Sequence, residues 1–314
     1  MECIKFISID WGTSNFRLRI INTALEAIEV LETDDGVKSL HQAWENSSQN
    51  RFDFYVNFIK NKLAEVQEIE PSTPIVISGM ASSSIGLKEL EYGAIPLKIQ
   101  PQNLYTEQIL ASSIPNPILL ISGLRSDNDV MRGEEVQFLG LHSLMKSQKA
   151  SVFIFPGTHS KHIFCDHILM TDFRTYMTGE LFEVISKNTI LSNSIAPGEF
   201  NDNTKIAFEK GVRKAKASDA ITTALFSIRT NTLFNKQTKT ENFYFLSGLL
   251  IGEELKNIGG QVEIILCADH PLHQLYEAAI LILGLKHNTN LIDKKTLSNS
   301  IIIGQNMALE NTPL

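Results

Sequence analysis

At 314 residues the chain is long enough for two domains, each with a substantial core. Its 43% hydrophobic and 20% charged residues suit an ordinary globular protein, and a formal net charge of −7 argues against nucleic acid as the main partner, which calls for a basic face. Three scattered cysteines (Cys3, Cys165 and Cys267) form no CxxC pair, which excludes a disulfide framework and a cysteine-rich zinc site and points to a reducing cytoplasm.

Residues 4–10 and 16–22 alternate as strands around the turn Gly12-Thr13-Ser14-Asn15. Helical spacing of Phe52, Val56, Ile59, Leu63 and Val66 predicts an amphipathic helix over 50–69. Short buried strands are expected at 74–78 and 117–122, each running into a Gly/Ser loop, the pattern of an α/β sheet that carries function at its strand ends. Gly133–Leu141 reads as a loop entering a helix. A second half starts with a strand at 151–155, after a boundary placed near 145 in a Lys/Ser/Gln segment. Helices are predicted at 178–190 and 217–229, a strand at 243–247 leading into Gly248-Leu-Leu-Ile-Gly252, a strand at 262–267 and a helix at 273–285. No basic n-region precedes the first strand. The longest apolar stretch, near 243–251, is shorter than the roughly 20 residues of a bilayer span, so neither a signal peptide nor a membrane segment is expected.

The feature that narrows function is a hydrophobic strand entering a Gly-Thr turn, present once in each half. In the first, Asp10 closes the strand and Gly12, Thr13, Ser14 and Asn15 form the turn. In the second, Gly157, Thr158, Ser160 and Lys161 follow Phe155-Pro156. Glycine lets turn backbone approach an anion, and hydroxyls add donors. Asp10 suits Mg²⁺, a hard cation that favours carboxylate, phosphate and water. The pair points to a two-lobed ATP-dependent phosphotransferase. A third segment, Asp129-Val-Met-Arg132-Gly-Glu134-Glu135, offers a carboxylate to take the proton of an acceptor hydroxyl and an arginine for a carboxylate or phosphoryl group. The same charges also suit a helix N-terminus. Asp172 and Arg174 can equally form a structural ion pair. P-loop, GxGxxG, HExxH and GxSxG patterns are missing.

Ile9–Arg17, Val130–Gln137, Phe155–Lys161, Asp172–Leu181 and Phe245–Gly252, in this order, resemble the 2-dehydro-3-deoxygalactonokinase family over about residues 4 to 285. The resemblance implies an α/β fold of two RNase H-like, actin/hexokinase-type lobes, 1–145 and 146–289, with ATP between them and the segment from about 290 to 314 returning to the first lobe. It implies transfer of the γ-phosphoryl of ATP to the 6-hydroxyl of 2-dehydro-3-deoxy-D-galactonate in D-galactonate breakdown. Asp10 to Asn15 with Arg17 become the first phosphate motif, with Asp10 at the metal, and Gly157 to Lys161 become the second. Glu134 is the first choice as base, then Asp129, then Asp172. Arg132, Arg174 and Arg17 are candidates for the substrate carboxylate or the transferring phosphate. Gly79, Met80 and Ser82 are expected on the sugar side, and Gly248, Gly252 and the loop after Cys267 around adenosine. Two departures stand out: Leu87 where many members have Trp, with a divergent Tyr92–Pro96, and Ala268-Asp269-His270-Pro271 in place of a Gly-Thr-type turn. Both bear on specificity, leaving a related sugar or sugar-acid kinase, or a nucleotide-binding sensor of the same fold, as alternatives. A homodimer is compatible with the chain.

Overall fold

β1 (Ile4–Trp11) pairs antiparallel with β2 (Phe16–Asn22), setting Asp10 opposite Arg17 and Ser8 opposite Arg19, and β2 pairs with β3 (Ala27–Thr33). Helices α1 (Val37–Glu45) and α2 (Arg51–Leu63) follow, α2 starting where the Asn50 side chain accepts from the Phe52 N–H. β4 (Ile75–Gly79) runs parallel to β1. Two short strands, β5 (Gly93–Ala94) and β6 (Leu97–Lys98), precede the hairpin of β7 (Thr106–Ala111) and β8 (Ile114–Ile121). β9 (Leu124–Arg125) and β10 (Val130–Met131) join β5 in a small sheet before α3 (Glu134–Met145). The second half runs β11 (Ser151–Phe155), β12 (Ser160–Asp166), β13 (Leu169–Tyr176), α4 (Thr178–Asn188), α5 (Asp202–Ala217), α6 (Ile221–Leu233), α7 (Lys239–Leu255), β14 (Glu263–Leu266), α8 (Leu272–Leu283), β15 (Thr289–Leu291) and α9 (Lys294–Glu310). This computed structural model describes residues 3–100, 104–145, 149–218, 220–259 and 262–312. The Lys/Ser/Gln segment at 146–148, where the sequence places the domain boundary, lies outside the described residues.

The chain divides into two units: Met1–Gln148 with Cys165–Asp172 and Lys295–Leu314, and Lys149–Phe164 with Phe173–Lys294. The main sheet of the first is ordered β3-β2-β1-β4-β8-β7; the second contains the order β15-β14-β11-β12-β13. Ranked along the chain, β3-β2-β1-β4-β8 and β13-β12-β11-β14-β15 both read 3-2-1-4-5, with the fourth and fifth strands added parallel to the first. The same α/β core is therefore built twice, the duplicated RNase H-like plan of the actin/hexokinase fold.

The first core packs Ile7, Ile9, Trp11, Leu18 and Ile77 against Tyr55, Val56 and Ile59 of α2. Trp11 also donates its indole N–H to the Asp35 carbonyl at 3.0 Å and packs on the Phe16, Tyr55 and Phe58 rings. α9 returns to this unit. Its Gln305 amide donates to the Ile9 carbonyl (3.0 Å) and the Ser78 hydroxyl (2.9 Å), beside Asp10 in sequence and in the β4 register respectively. A Cβ on Gly140 would meet the Ser300 carbonyl at 1.9 Å and one on Gly304 the Val136 carbonyl at 2.0 Å, so α3 and α9 approach backbone to backbone.

Three expected elements differ. The 243–247 stretch is helix, not strand: α7 starts from a Thr238/Glu241 capping box and is buried on almost every side from Asn242 onward, which removes the periodicity that marks a helix. The helix expected over 217–229 is α6, which runs from Ile221 to Leu233; before it lies α5, for which no helix is expected from the sequence, ending at Ala217 and opened by its own capping box, Asn201 with Thr204. The helix expected to reach 69 ends at Leu63.

Candidate active site

In the first unit the Gly-Thr turn is held from behind. The carbonyls of Gly12, Thr13 and Ser14 accept from the N–H groups of Val37, Lys38 and Gly36 at 3.0, 3.1 and 3.2 Å, so the start of α1 locks the turn backbone. Gly36 is needed there, because a Cβ would lie 2.3 Å from the Thr13 carbonyl oxygen. Thr13, Ser14 and Asn15 remain exposed, with side chains available to a ligand. Asp10, Arg17, Ser8 and Arg19 share one face of the β1–β2 pair. Burial pushes the Asp10 carboxyl above its ordinary value while Arg19 and Arg17 pull it down. Arg17 lies 3.9 Å from Asp10 and also pairs with Glu32. Burial lowers Arg19 to about 10, and its Nη1 has no protein partner. Arg19 was not singled out in the sequence, although its spacing from Arg17 puts both on the Asp10 face.

The strand ends meet the start of α3. Trp11 pairs with Gly79, whose φ of +90° and whose 2.6 Å approach of a would-be Cβ to the Trp11 carbonyl require glycine. Gly133, at φ +111°, packs on Gly79. The Glu134 end of α3 thus stands at the carboxyl ends of β1 and β4, the end at which Asp10 lies. Arg132 is committed to the neighbouring loop: Nη1 donates to the Ser82 carbonyl and, at 2.6 Å, to the Ser82 hydroxyl, and its guanidinium lies 4.1 Å from the Tyr92 ring centroid. Ser82 is itself buried, and Met80 opens the short helical turn that carries it. Asp129 sits in the Ser126–Asp129 turn, its carboxylate accepting from the Val130 N–H at 2.7 Å. Leu87 is buried in the first core.

Glu135, beside Glu134, is fully buried and accepts the Gly133 N–H at both oxygens (2.9 and 2.7 Å). Burial, reinforced by the Glu134 charge, pushes its carboxyl up to about 8 from the usual 4.5. The folded chain therefore keeps a proton there that the unfolded chain releases. The stability this confers is complete below pH 4.5 and lost as pH rises through about 8. Urea unfolding of Glu135→Gln should show a flatter decline of stability across that window than the unaltered chain. Equal slopes would mean that Glu135 is ionised in the fold.

In the second unit the Gly157-Thr158 turn rests on α4. The Glu180 N–H donates to the Thr158 carbonyl at 3.0 Å, and a Cβ on Gly179 would lie 2.5 Å from the Gly157 carbonyl oxygen. Thr158 is exposed. Ser160 is buried, with its hydroxyl committed inside the protein, accepting from the Gly157 N–H (3.3 Å) and bonded to Tyr276 Oη (3.1 Å). Lys161 is also buried, and Nζ donates to the His159 carbonyl at 3.3 Å. Behind the turn opens a cavity of about 340 Å³ walled by Phe182, Phe200, Phe243, Tyr244, Ser247, Leu250, Pro271, Leu272 and Tyr276, with Gly157, Thr178 and Gly179 at its edge. That volume lies in the range of small-molecule sites, roughly 300–1,000 Å³. Gly248 and Gly252 do not line it. They face α5, where would-be Cβ atoms fall 2.1 Å from the Phe208 carbonyl and 2.9 Å from Val212 Cα. The 243–252 segment reaches the cavity through Tyr244, Ser247 and Leu250 instead, a consequence of its being helix. Of the segment after Cys267, Pro271 and Leu272 line the cavity, while Asp269 pairs with Lys294 at 2.9 Å. Asp172 and Arg174 lie two residues apart on β13, Arg174 packing on the Phe164 ring and bonding Tyr176.

Comparison with known proteins places this geometry. The 2-keto-3-deoxy-galactonokinase family matches residues 10–300. The chain belongs to that family. It is 30% identical to the 2-dehydro-3-deoxygalactonokinase of Escherichia coli (strain K12) over 293 residues, covering 89% of this chain and 90% of that one. It is likewise 30% identical over 297 residues to a Rhizobium meliloti (strain 1021) protein named probable 2-dehydro-3-deoxygalactonokinase DgoK1, covering 92% of each. The crystal structure of a candidate 2-dehydro-3-deoxygalactonokinase from Sinorhizobium meliloti superposes with a TM-score of 0.82 at 28% identity, over 97% of this chain and 96% of that one. The chain is thus a sugar-acid kinase of this family. Both Gly-Thr turns, the α3 start and the cavity fall inside the matched residues. Among the described residues no helix is long and apolar enough to cross a membrane.

Proposed function

We propose that the chain transfers the γ-phosphoryl of ATP to the 6-hydroxyl of 2-dehydro-3-deoxy-D-galactonate, as a cytoplasmic step of D-galactonate breakdown. The observation that carries this reading is the family match running unbroken through both turns and the cavity. In the second unit, the cavity takes the adenosine between aromatic and aliphatic walls, and the Gly157-Thr158 turn at its edge meets the phosphates. In the first unit, Thr13, Ser14 and Asn15 donate to phosphate oxygens. Among the described residues no three His, Cys, Asp or Glu side chains stand together as a metal cage. A single carboxylate, Asp10, fits Mg²⁺, which keeps waters and takes its remaining ligands from phosphates. When bound, the ion neutralises charge on the transferring group.

Glu134 accepts the proton from O6 as the O6–Pγ bond forms and the bond from Pγ to the β,γ-bridging oxygen breaks, releasing ADP. Asp129, tied to its own turn, is the second choice. The Arg132–Ser82–Tyr92 assembly, with Gly79 and Met80, holds the sugar acid; Arg132 offers its charge to the acceptor carboxylate. Arg174 and Asp172 are retained as further acceptor contacts, and Arg17 as a phosphate contact.

An ADP-release assay with Mg-ATP tests the reading. Selective turnover of 2-dehydro-3-deoxy-D-galactonate over its gluconate epimer, galactonate and hexoses is expected; preference for another acid reassigns the acceptor. In the same assay Asp10→Asn should raise the Mg²⁺ concentration for half-maximal rate on the order of tenfold or more. An unchanged Mg²⁺ titration would remove Asp10 from the metal.

A further inference from the structure

One buried carboxylate in the second unit lies outside this account. Glu254 of α7 is 2% exposed and gathers donors from three other elements. His162 of β12 meets Oε1 through Nε2 at 2.9 Å, while Thr178 at the start of α4 and Tyr276 of α8 (2.8 Å) both donate hydroxyl protons to Oε2. The chain extends further. With Tyr276 Oη donating to Glu254, it accepts from Ser160, whose oxygen accepts from the Gly157 N–H. Every proton in this series points the same way, from the Gly-Thr turn to the carboxylate. Burial and the Glu254 charge push the Tyr276 phenol well above its ordinary value, which keeps its proton in place.

We propose that Glu254 is a positioning residue for nucleotide phosphates, fixing the second Gly-Thr turn, the first residue of α4 and the Tyr276 wall of the cavity through this hydrogen-bond series. A carboxylate suits the place because all three partners donate and it only accepts. An amide would turn two N–H donors toward one of them. The polar atoms of the series that border the cavity are the Gly157 backbone and Thr178, at the proposed phosphate edge; of the apolar walls only Tyr276 belongs to the series, and its ring is also held by packing in the second core. The effect of breaking the series should therefore fall on phosphates rather than on adenosine.

The proposal rests on the nucleotide reading above, and its test separates the two. Calorimetry with adenosine, ADP and ATP is run on the intact chain, on Glu254→Gln and on Tyr276→Phe, which keeps the ring and loses only the hydroxyl. Expected is a loss of about tenfold or more in ATP and ADP affinity, with adenosine within about twofold and the acceptor KM unmoved. The double variant should lose little more than Glu254→Gln alone, because one series is broken twice. Equal weakening of adenosine and ATP would make Glu254 a general structural residue and overturn the proposal, as would unchanged ATP affinity in Tyr276→Phe. Failure of the unaltered chain to bind ADP would instead overturn the nucleotide reading and this inference with it.

Discussion

Glu134→Gln is expected to lower kcat about 10²- to 10⁴-fold, the range over which a positioned base contributes, while KM for ATP stays within about twofold. The amide keeps the side-chain shape and the oxygen that can accept from the Arg132 N–H, now at 3.2 Å, so the α3 start is preserved and the loss is chemical. The neighbouring Glu135 cannot substitute. It is buried, both its oxygens are held by the Gly133 N–H, and its carboxyl is pushed up to about 8. Asp129→Asn is the comparison. A small effect there with a large one at Glu134 fixes the base, and the reverse moves it to Asp129. The measurement is steady-state ADP release at saturating acceptor, with circular dichroism confirming that both variants fold.

Gly248→Ala is expected to destabilise the second unit while leaving ATP affinity in the folded fraction nearly unchanged. Alanine favours helix over glycine by about 1 kcal/mol, which alone would stabilise α7. The added methyl would sit 2.1 Å from the Phe208 carbonyl, and the obstacle is helix backbone rather than a side chain that can swing away. Forcing α5 and α7 apart costs about 1–3 kcal/mol or more and outweighs the propensity gain. A thermal melt should fall by several degrees, at roughly 2–4 °C per kcal/mol for a unit of this size. An unchanged melting temperature with weakened ATP binding would return Gly248 to the nucleotide, as the sequence motif suggests.

The two glycine readings show what sequence conveys and what it hides. The Gly-Thr turns were legible because turn chemistry is local: strand alternation, glycine and hydroxyls lie within ten residues. So was the start of α3, where Glu134 and Glu135 announce a helix N-terminus. α7 was not, because a helix enclosed by α5, α6 and α8 has no polar face, and Phe-Tyr-Phe-Leu then reads as a buried strand. Its start was nevertheless written in Thr238 and Glu241. The cavity walls come from α4, α7, α8 and the segment before α5, elements far apart in the chain, and no single window shows Phe182, Phe200 and Leu272 together. Glu254 gave no signal at all, since the second Glu of a Gly-Glu-Glu-Leu run looks like solvent-facing helix until its three donors are seen. Leu87, a departure from the family pattern, is buried in the first core, and no local sequence signal marks that burial.

The Gln305 contact has a bearing on how the protein is made. Ile9 and Gln305 are 296 positions apart, yet the amide of one bonds the carbonyl of the other beside Asp10. A nascent chain emerging in order from the ribosome has β1, β4 and α3 outside long before α9 exists. Over that interval the Ser78 hydroxyl lacks its Gln305 partner and the small-residue face of α3 lacks Ser300 and Gly304. The second unit, by contrast, has all its strands once residue 291 is out. The first unit thus completes this packing only after α9 has been made, later than the last strand of the second unit's sheet.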